Sequence, residues 1–237
     1  MLKEKNLSVI VAGGTGVRLE SKIPKQFIKL GEKTIIEHTI EKFDNHERID
    51  SIYIITNEKY YGEMCEILAK NEYLKVDRIL KGGKTRQESS AVGVKAAGND
   101  FENILIHDAA RPLVTAKIIT DVVNKLKFYS AVNVGILIKD SVAKITPNNM
   151  FEKVLDREYL RAVQTPQGFK REIIQKAHFL AEQGAKFDFT DDCSLIYEYK
   201  LSEIGFIMGD ERNLKITTLF DLMYARELMK RLKQKSE

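Results

Sequence analysis

The sequence predicts an α/β fold in which a mainly parallel β-sheet is flanked by helices. Short apolar runs at residues 7–12, 51–56, 103–106 and 131–138 alternate with longer segments of helical spacing. Because the short runs are apolar on both faces, they indicate strands buried between two helix layers. A length of 237 residues suits one sizeable domain of this kind, so residues 1–237 are expected to form a single domain.

Two segments, residues 61–68 and 118–126, carry apolar side chains every three or four positions, as on the buried face of a helix. They lie between the predicted strands, which is the alternation of βαβ units. In such sheets ligands bind at the carboxyl ends of the strands. Motifs that follow a predicted strand are therefore the first candidates for a functional site.

The two cysteines, Cys65 and Cys193, lie far apart in segments that are predicted as helices, so no disulfide is expected. No set of cysteines and histidines has the spacing of a zinc site. The apolar run near the N-terminus, about six residues long, is too short for a signal peptide core or a membrane span. We therefore expect a cytoplasmic protein without a membrane partner.

Between Asp140 and Asp156 the pattern changes to two short alternating segments around the turn residues 147–149. This pattern predicts a β-hairpin, here called the arm, at about residues 140–156. An isolated two-stranded hairpin is marginally stable at best in water. We therefore expect the arm to pack on a second subunit and the chain to form a homodimer.

The formal net charge of +4 is modest, and basic and acidic residues are interspersed along the chain. A nucleic-acid-binding protein usually concentrates its positive charge on one face, so no nucleic-acid partner is expected. Cations at the end of a helix also suit the helix dipole. One basic cluster closes the last predicted helix and consists of Lys230, Arg231, Lys233 and Lys235.

The first predicted strand runs into a glycine-rich loop, Ala-Gly-Gly-Thr-Gly-Val-Arg, at residues 12–18. Its glycines allow a tight turn and a close approach of backbone N–H groups to a phosphate chain, although such a loop is also found as a plain turn. Leu19 occupies the place of the third glycine in the dinucleotide-binding fingerprint, which excludes that motif. Lys25 follows Arg18 as a second cation, and two cations beside such a loop suit a triphosphate unless they are plain surface charges.

A second glycine-containing segment, Gly-Gly-Lys-Thr at residues 82–85, superficially resembles a P-loop. The first glycine that a P-loop requires is replaced by Arg78, so this interpretation is rejected.

The predicted strand that begins at Asn103 ends in His-Asp-Ala-Ala-Arg-Pro at residues 107–112. Asp108 is a candidate ligand of Mg²⁺, directly or through water, because this ion prefers oxygen ligands and accompanies substrate phosphates. His107 is interpreted as a buried structural residue in preference to a catalytic one.

Eight motifs resemble, in the same order, those of 2-C-methyl-D-erythritol 4-phosphate cytidylyltransferases, and together they cover nearly the whole chain. They are Gly-Gly-Thr-Gly-Val-Arg (13–18), Pro-Lys-Gln-Phe (24–27), Gly-Gly-Lys-Thr-Arg-Gln-Glu-Ser (82–89), His-Asp-Ala-Ala-Arg-Pro (107–112), Asp-Arg (156–157), Gln-Thr-Pro-Gln-Gly-Phe (164–169), Thr-Asp-Asp (190–192) and Asn-Leu-Lys-Ile-Thr (213–217). The resemblance implies a Rossmann-like fold, an arm-exchanged homodimer, and Mg²⁺-dependent transfer of CMP from CTP with release of pyrophosphate.

The resemblance also implies roles for individual residues. The residues expected to act in catalysis are Arg18, Lys25 and Lys215. Those expected to bind CTP are Ala12, Gly13, Gly14, Thr15, Gly16, Gly82, Gly83, Ser89 and Asp108, with Asp108 also near the metal and Arg111 supporting its strand end. Those expected to bind the acceptor phosphate are Ser141, Arg157, Thr190 and Lys215, with Arg157 supplied by the partner's arm or, alternatively, paired with Asp156 or Glu158 on a solvated arm.

The acceptor is less sharply indicated than the reaction. Where erythritol-phosphate enzymes usually carry threonine and then lysine two residues later, this chain has Ser141, and its lysine stands at Lys144. The loop at residues 12–16 also resembles that of ribitol-5-phosphate cytidylyltransferases, whereas residues 107–111 and 162–169 resemble the erythritol-phosphate type. We expect the latter activity, with the ribitol-phosphate activity and a non-catalytic nucleotide-binding module as alternatives.

Overall fold

A computed structural model describes residues 4–14 and 23–234. Its strands are β1 (Asn6–Ala12), β2 (Lys29–Leu30), β3 (Lys33–Thr34), β4 (Ser51–Thr56), β5 (Val76–Lys81), β6 (Asn103–Asp108), β7 (Ala131–Leu137), β8 (Val142–Ile145), β9 (Phe151–Leu155), β10 (Arg161–Lys170) and β11 (Ile204–Met208). Its α-helices are α1 (Ile35–Asp44), α2 (Tyr61–Ala69), α3 (Arg86–Ala96), α4 (Ala116–Lys125), α5 (Arg171–Gln183), α6 (Asp192–Glu198) and α7 (Leu219–Gln234).

In this part of the chain seven strands form one sheet in the order β11-β7-β10-β6-β1-β4-β5. Neighbouring strands pair in parallel except at β10, which is antiparallel to both β6 and β7. The four strands and the two helices described from apolar patterns are all present. The predicted α/β fold with a mainly parallel sheet is therefore confirmed.

Helices cover both faces of the sheet. One face of β1 contributes Ile10 to a core shared with α1, α2 and α4. The other face contributes Leu7 and Val9 to a second core with α3, α5 and α6. Strands buried on both faces are rich in apolar residues on both of them, which is why most positions of β1, β4 and β6 are apolar in the sequence.

Helix α3 begins at a capping box. The side chain of Thr85 accepts a hydrogen bond from the backbone N–H of Glu88, and the Glu88 carboxylate accepts the N–H of Thr85. This pairing satisfies backbone donors that a helix start leaves open, and it fixes where the helix begins. Gly93 then brings α3 close to the sheet, because a Cβ at Gly93 would lie 2.4 Å from Cγ1 of Val9.

The arm contains the predicted hairpin, since β8 and β9 pair antiparallel with Val142 opposite Leu155. Large apolar side chains of the arm, including Met150, Phe151 and Val154, are exposed. The pairing of β8 with β9 confirms the hairpin itself, while packing of the arm on a second subunit stays a prediction.

Across residues 4–14 and 23–234, none of the helices combines the length and apolar character that crossing a membrane requires. In the basic cluster of α7, Arg231 pairs with Glu227 at 2.9 Å on an exposed face. Lys235 of that cluster lies outside the described residues.

The contact between α3 and β1 predicts opposite effects of one substitution at two helical glycines. Gly93→Ala should lower the free energy of unfolding by about 1–3 kcal/mol, because the added methyl group overpacks the core against Val9. Gly62→Ala in α2 is the matched control, since a Cβ there meets nothing within 4 Å, and it should stabilise by up to about 1 kcal/mol. Urea unfolding of both variants measures the difference. Stabilisation by both substitutions would show that helix propensity alone governs these sites.

Candidate active site

A cleft of about 250 Å³ lies where β1, β4 and β6 end and α3 begins. The cleft thus occupies the carboxyl edge of the parallel strands, where ligands bind in folds of this class. The residues that line it are Val11, Ala12, Gly13, Gly14, Lys25, Gln26, Asn57, Gly83, Lys84, Thr85, Arg86, Ser89, Asp108, Ala109, Ala110 and Lys215.

The glycines at the cleft allow backbone and side chains to approach closely. A Cβ at Gly82 would lie 2.7 Å from the Ser89 hydroxyl, and a Cβ at Gly83 would lie 2.3 Å from Cβ of Glu88. A Cβ at Gly14 would lie 3.5 Å from Cε of Lys25. The lysine side chain therefore extends along the glycine turn. A side chain at Gly82 or Gly83 would therefore displace the first turn of α3.

The N-terminus of α3 borders the cleft through Thr85, Arg86 and Ser89. The Ser89 hydroxyl donates to the carbonyl oxygen of Thr85 at 2.9 Å. Helix N-termini present open backbone N–H groups and the positive end of the helix dipole, which favours anions. The same cleft therefore offers a glycine turn, a helix N-terminus and lysine side chains to one bound anion.

Asp108, at the end of β6, is held by cations from three parts of the chain. Its Oδ1 accepts from Nε of Arg86 at 2.9 Å, and its Oδ2 lies 2.8 Å from Nζ of Lys215 and 3.7 Å from Nε of Arg111. Burial alone would raise the pKa of Asp108, but Arg86, Lys215 and Arg111 together hold that pKa well below its usual range. The carboxylate is therefore ionised, and it fixes Lys215 at the rim of the cleft.

Arg86 is a site residue to which the sequence analysis gave no role. Its Nη1 donates to Oδ2 of Asp192 at 2.7 Å, so that one guanidinium bridges two buried carboxylates. Its Nη2 is buried and has no hydrogen-bond partner within residues 4–14 and 23–234. The available signal was an arginine directly after Gly-Gly-Lys-Thr, at the first position of a helix. Asn57, which follows β4 and also lines the cleft, was missed in the same way.

Asp108 does not fit a direct Mg²⁺ ligand in this arrangement. Both of its oxygens already face cations, and a metal bond would require Arg86 or Lys215 to move away. Among the described residues, no group of three or more His, Cys, Asp or Glu side chains is arranged to hold a metal ion. The Mg²⁺ requirement therefore stays a prediction, and nothing in the cleft geometry depends on it.

The structure brings many of the expected site residues together. Residues that line the cleft as expected are Ala12, Gly13, Gly14, Lys25, Gly83, Ser89, Asp108 and Lys215, and Gly82 lies beside Ser89. Residues that lie outside the described part of the chain are Thr15, Gly16 and Arg18.

The remaining acceptor-phosphate candidates lie away from this lining. Ser141 precedes β8, and Arg157 begins a short 3₁₀ turn after β9. Nη1 of Arg157 donates to the carbonyl oxygen of Lys139 at 2.5 Å, which closes the base of the arm. Thr190 is exposed just before α6.

His107 is a buried structural residue, as expected. Its Nε2 lies 3.1 Å from the carbonyl oxygen of Arg111, its Nδ1 lies 3.0 Å from the hydroxyl of Thr165, and its ring packs on Phe43. Burial lowers the pKa of His107 to about 3, so the imidazole is neutral at physiological pH. Arg111 donates to the carbonyl oxygens of Asn213 and Val163, and so supports the strand end as proposed.

A glycine turn, a helix N-terminus and clustered cations lie together at the edge of this sheet, and comparison with known proteins places the chain among the nucleotidyltransferases. The family model "IspD: 2-C-methyl-D-erythritol 4-phosphate cytidylyltransferase" matches residues 7–231. The chain therefore belongs to the 2-C-methyl-D-erythritol 4-phosphate cytidylyltransferase family.

Curated relatives include enzymes of this family and one enzyme named for CDP-ribitol synthesis. The 2-C-methyl-D-erythritol 4-phosphate cytidylyltransferase of Thermobifida fusca is 35% identical over 230 residues, which are 94% of this chain and 92% of that protein. A bifunctional ribulose 5-phosphate reductase/CDP-ribitol pyrophosphorylase of Haemophilus influenzae is 37% identical over 96% of this chain, which spans about half (49%) of that protein.

Among solved structures, 4-diphosphocytidyl-2C-methyl-D-erythritol synthase of Anaerococcus prevotii aligns with a TM-score of 0.85 at 25% identity, covering 96% of this chain and 97% of that one. The Francisella tularensis 2-C-methyl-D-erythritol 4-phosphate cytidylyltransferase aligns with a TM-score of 0.78 at 26% identity, covering 94% and 99%.

The depressed pKa of His107 predicts a loss of stability in mild acid. Below pH 6.5 the unfolded chain binds a proton at this histidine, whereas the folded chain stays neutral down to about pH 3. Between pH 6.5 and pH 5 His107 should therefore cost about 2 kcal/mol of the free energy of unfolding. His46, whose pKa burial also lowers, contributes in the same direction.

Urea unfolding at pH 7 and pH 5 checks this prediction, with His107→Gln as the comparison because glutamine does not titrate. The loss of stability on going to pH 5 should be smaller by about 2 kcal/mol in the variant. An equal loss in both proteins would mean that His107 takes up its proton in the folded state as well.

Proposed function

We propose that this chain transfers CMP from CTP to 2-C-methyl-D-erythritol 4-phosphate and releases pyrophosphate. The observation that carries the proposal is the convergence of Lys25, Lys215 and the N-terminus of α3 on the glycine turn at the end of β1.

The reaction needs positioning and charge stabilisation more than proton transfer. The attacking phosphate oxygen of the acceptor is already ionised at neutral pH, so no general base is required. Two anions must be held together while negative charge grows on the oxygens of the α-phosphoryl group. Lys25 beside Gly14 is placed to stabilise that charge, and Lys215, fixed by Asp108, is placed to hold the acceptor phosphate.

Magnesium enters this proposal with the triphosphate. When bound to phosphate oxygens, Mg²⁺ neutralises charge on the triphosphate, and the protein side chains described here need not hold it. We also propose that the chain is cytoplasmic.

The acceptor is the part of the proposal that has a competing candidate. The Haemophilus influenzae relative is named a CDP-ribitol pyrophosphorylase, and it is as similar to this chain as the erythritol-phosphate enzymes are. The serine at Ser141 also departs from the usual threonine of the erythritol-phosphate type. Against this, the family model and the two solved structures above are of the erythritol-phosphate type.

Pyrophosphate release with CTP and each acceptor tests the proposal directly. We expect kcat/KM for 2-C-methyl-D-erythritol 4-phosphate to exceed that for ribitol 5-phosphate at least about tenfold, a difference of about 1.4 kcal/mol in transition-state binding. Activity should disappear with EDTA and return with Mg²⁺. The reverse ratio would assign the chain to ribitol phosphate, and no turnover of either acceptor despite CTP binding would favour a nucleotide-binding module.

We also propose that the chain works as a homodimer in which the arm of one subunit completes the site of the other. Besides the arm, α7 exposes Leu219, Phe220, Met223 and Tyr224. Contiguous exposed apolar patches mark interaction surfaces. In this arrangement Arg157 reaches the partner's acceptor phosphate, which a guanidinium binds through two parallel N–H groups.

Subunit mixing tests the sharing of Arg157. Arg157→Ala and Lys25→Ala chains should each be inactive, and chains refolded together should form heterodimers in which one site has both residues intact. Activity should then return to at most about one quarter of the wild-type value, since half of the dimers are mixed and each has one intact site. If heterodimers form and the mixture stays inactive, Arg157 acts within its own subunit or outside the site.

A further inference from the structure

The bridge that Arg86 makes between Asp108 and Asp192 joins two parts of the chain with different expected tasks. Asp108 ends β6 inside the nucleotide cleft, whereas Asp192 opens α6. Thr190 lies two residues before Asp192, so their Cα atoms are at most about 7 Å apart. A single guanidinium thus connects the nucleotide cleft with the loop that carries Thr190.

Asp192 is buried, and its carboxylate contacts three side chains. Its side chain is 1% exposed, and its Oδ1 accepts from the hydroxyl of Ser90 at 2.6 Å, with His178 at 3.5 Å. Its Oδ2 accepts from Nη1 of Arg86 at 2.7 Å. Burial would raise the pKa of Asp192, but Arg86 and His178 lower it below its usual range, so the side chain is a carboxylate.

The loop before α6 has a second attachment, made by Gln167 of β10. Its Oε1 accepts the backbone N–H of Asp192 at 2.9 Å, and its Nε2 donates to Oδ1 of Asp191 at 2.9 Å. Asp191 in turn caps α6 by accepting the N–H of Ser194. Gln167 therefore fixes the backbone of the loop to the sheet, and Asp192 fixes its position relative to α3 through Arg86.

We infer that the Arg86–Asp192 pair is a positioning device that holds the acceptor-phosphate loop at Thr190 in register with the nucleotide cleft. This inference rests on the proposed function, because the acceptor role of Thr190 belongs to it. A buried guanidinium bridge suits the task, since its N–H groups lie in a fixed plane and donate one hydrogen bond to each of two carboxylates. A lysine keeps the charge and loses that geometry.

The main test is Asp192→Asn, which keeps the size of the side chain and removes the charge that Arg86 pairs with, while Arg86 retains Asp108. Because a displacement of about 1 Å in a positioning group can cost 10²-fold, kcat/KM for the acceptor should fall by roughly that factor. The dissociation constant of CTP, measured by calorimetry without acceptor, should stay within about threefold of wild type. Arg86→Lys should impair both CTP binding and use of the acceptor. Adding Asp192→Asn to Arg86→Lys should cause little further loss.

Arg171→Lys is the control for a merely structural effect. Arg171 is also a poorly exposed arginine that ties two segments together, through Asn99 and the carbonyl oxygen of Phe101, but it lies outside the cleft lining. Arg171→Lys should lower stability. It should not lower kcat/KM for the acceptor selectively while the dissociation constant of CTP stays unchanged. Weaker CTP binding with unchanged acceptor KM in Asp192→Asn would overturn the inference.

Hydrogen exchange of the substrate-free protein gives a readout that does not depend on the acceptor. Peptides covering residues 188–193 should exchange faster in Asp192→Asn than in wild type, and peptides from α1, which packs on the opposite face of the sheet, should not change. Unchanged exchange at residues 188–193 would also overturn the inference. If wild type uses neither acceptor, the proposed function fails while exchange still decides whether Arg86 restrains this loop.

Discussion

Burial of the Asp108 carboxylate at the end of β6 is the constraint on which the arrangement of the site depends. An ionised carboxylate with 9% of its side chain exposed is costly to bury unless cations compensate it closely. Here the compensating groups are Arg86 of α3, Arg111 of the loop after β6, and Lys215 of the segment before α7. Satisfying one carboxylate therefore brings two distant parts of the chain, at Arg86 and Lys215, to the edge of the sheet where Arg111 already lies.

The antiparallel strand β10 supplies the polar layer behind this cluster. The hydroxyl of Thr165 accepts the backbone N–H of Asp108 and contacts His107, while its carbonyl oxygen accepts from Asn213. Gln167, two residues further along, fixes the start of α6. Thr165 thus supports the end of β6 beside the cleft, and Gln167 supports the loop before α6, while β10 itself pairs with β6 on one side and β7 on the other.

The sequence predicted those strands whose environment is uniform. The strands β1, β4 and β6 are buried on both faces, and such strands are recognisable as apolar runs. The edge strand β5, with exposed Asp77 and Arg78, lacks that signal. The strand β10 is hard to recognise in the sequence because it contains a proline at position 166, a residue that is rare within sheets. Site residues that lie in short motifs directly after a predicted strand, such as Gly13 and Asp108, were predicted because topology alone brings strand ends together.

Arg86 could not be assigned in this way, because its role depends on Asp192, 106 residues further along the chain. The same long-range pairing explains why the proposed anion site contains buried carboxylates. Asp108 and Asp192 offset two of the three positive charges of Arg86, Arg111 and Lys215, which weakens the attraction for phosphate. In exchange, the remaining donors are held in fixed directions before substrate arrives, so that little reorganisation is needed when charge develops. The carboxylates therefore weaken the positive potential of the site but hold its donor groups in fixed orientations. Those orientations are set when the chain folds and not when substrate binds.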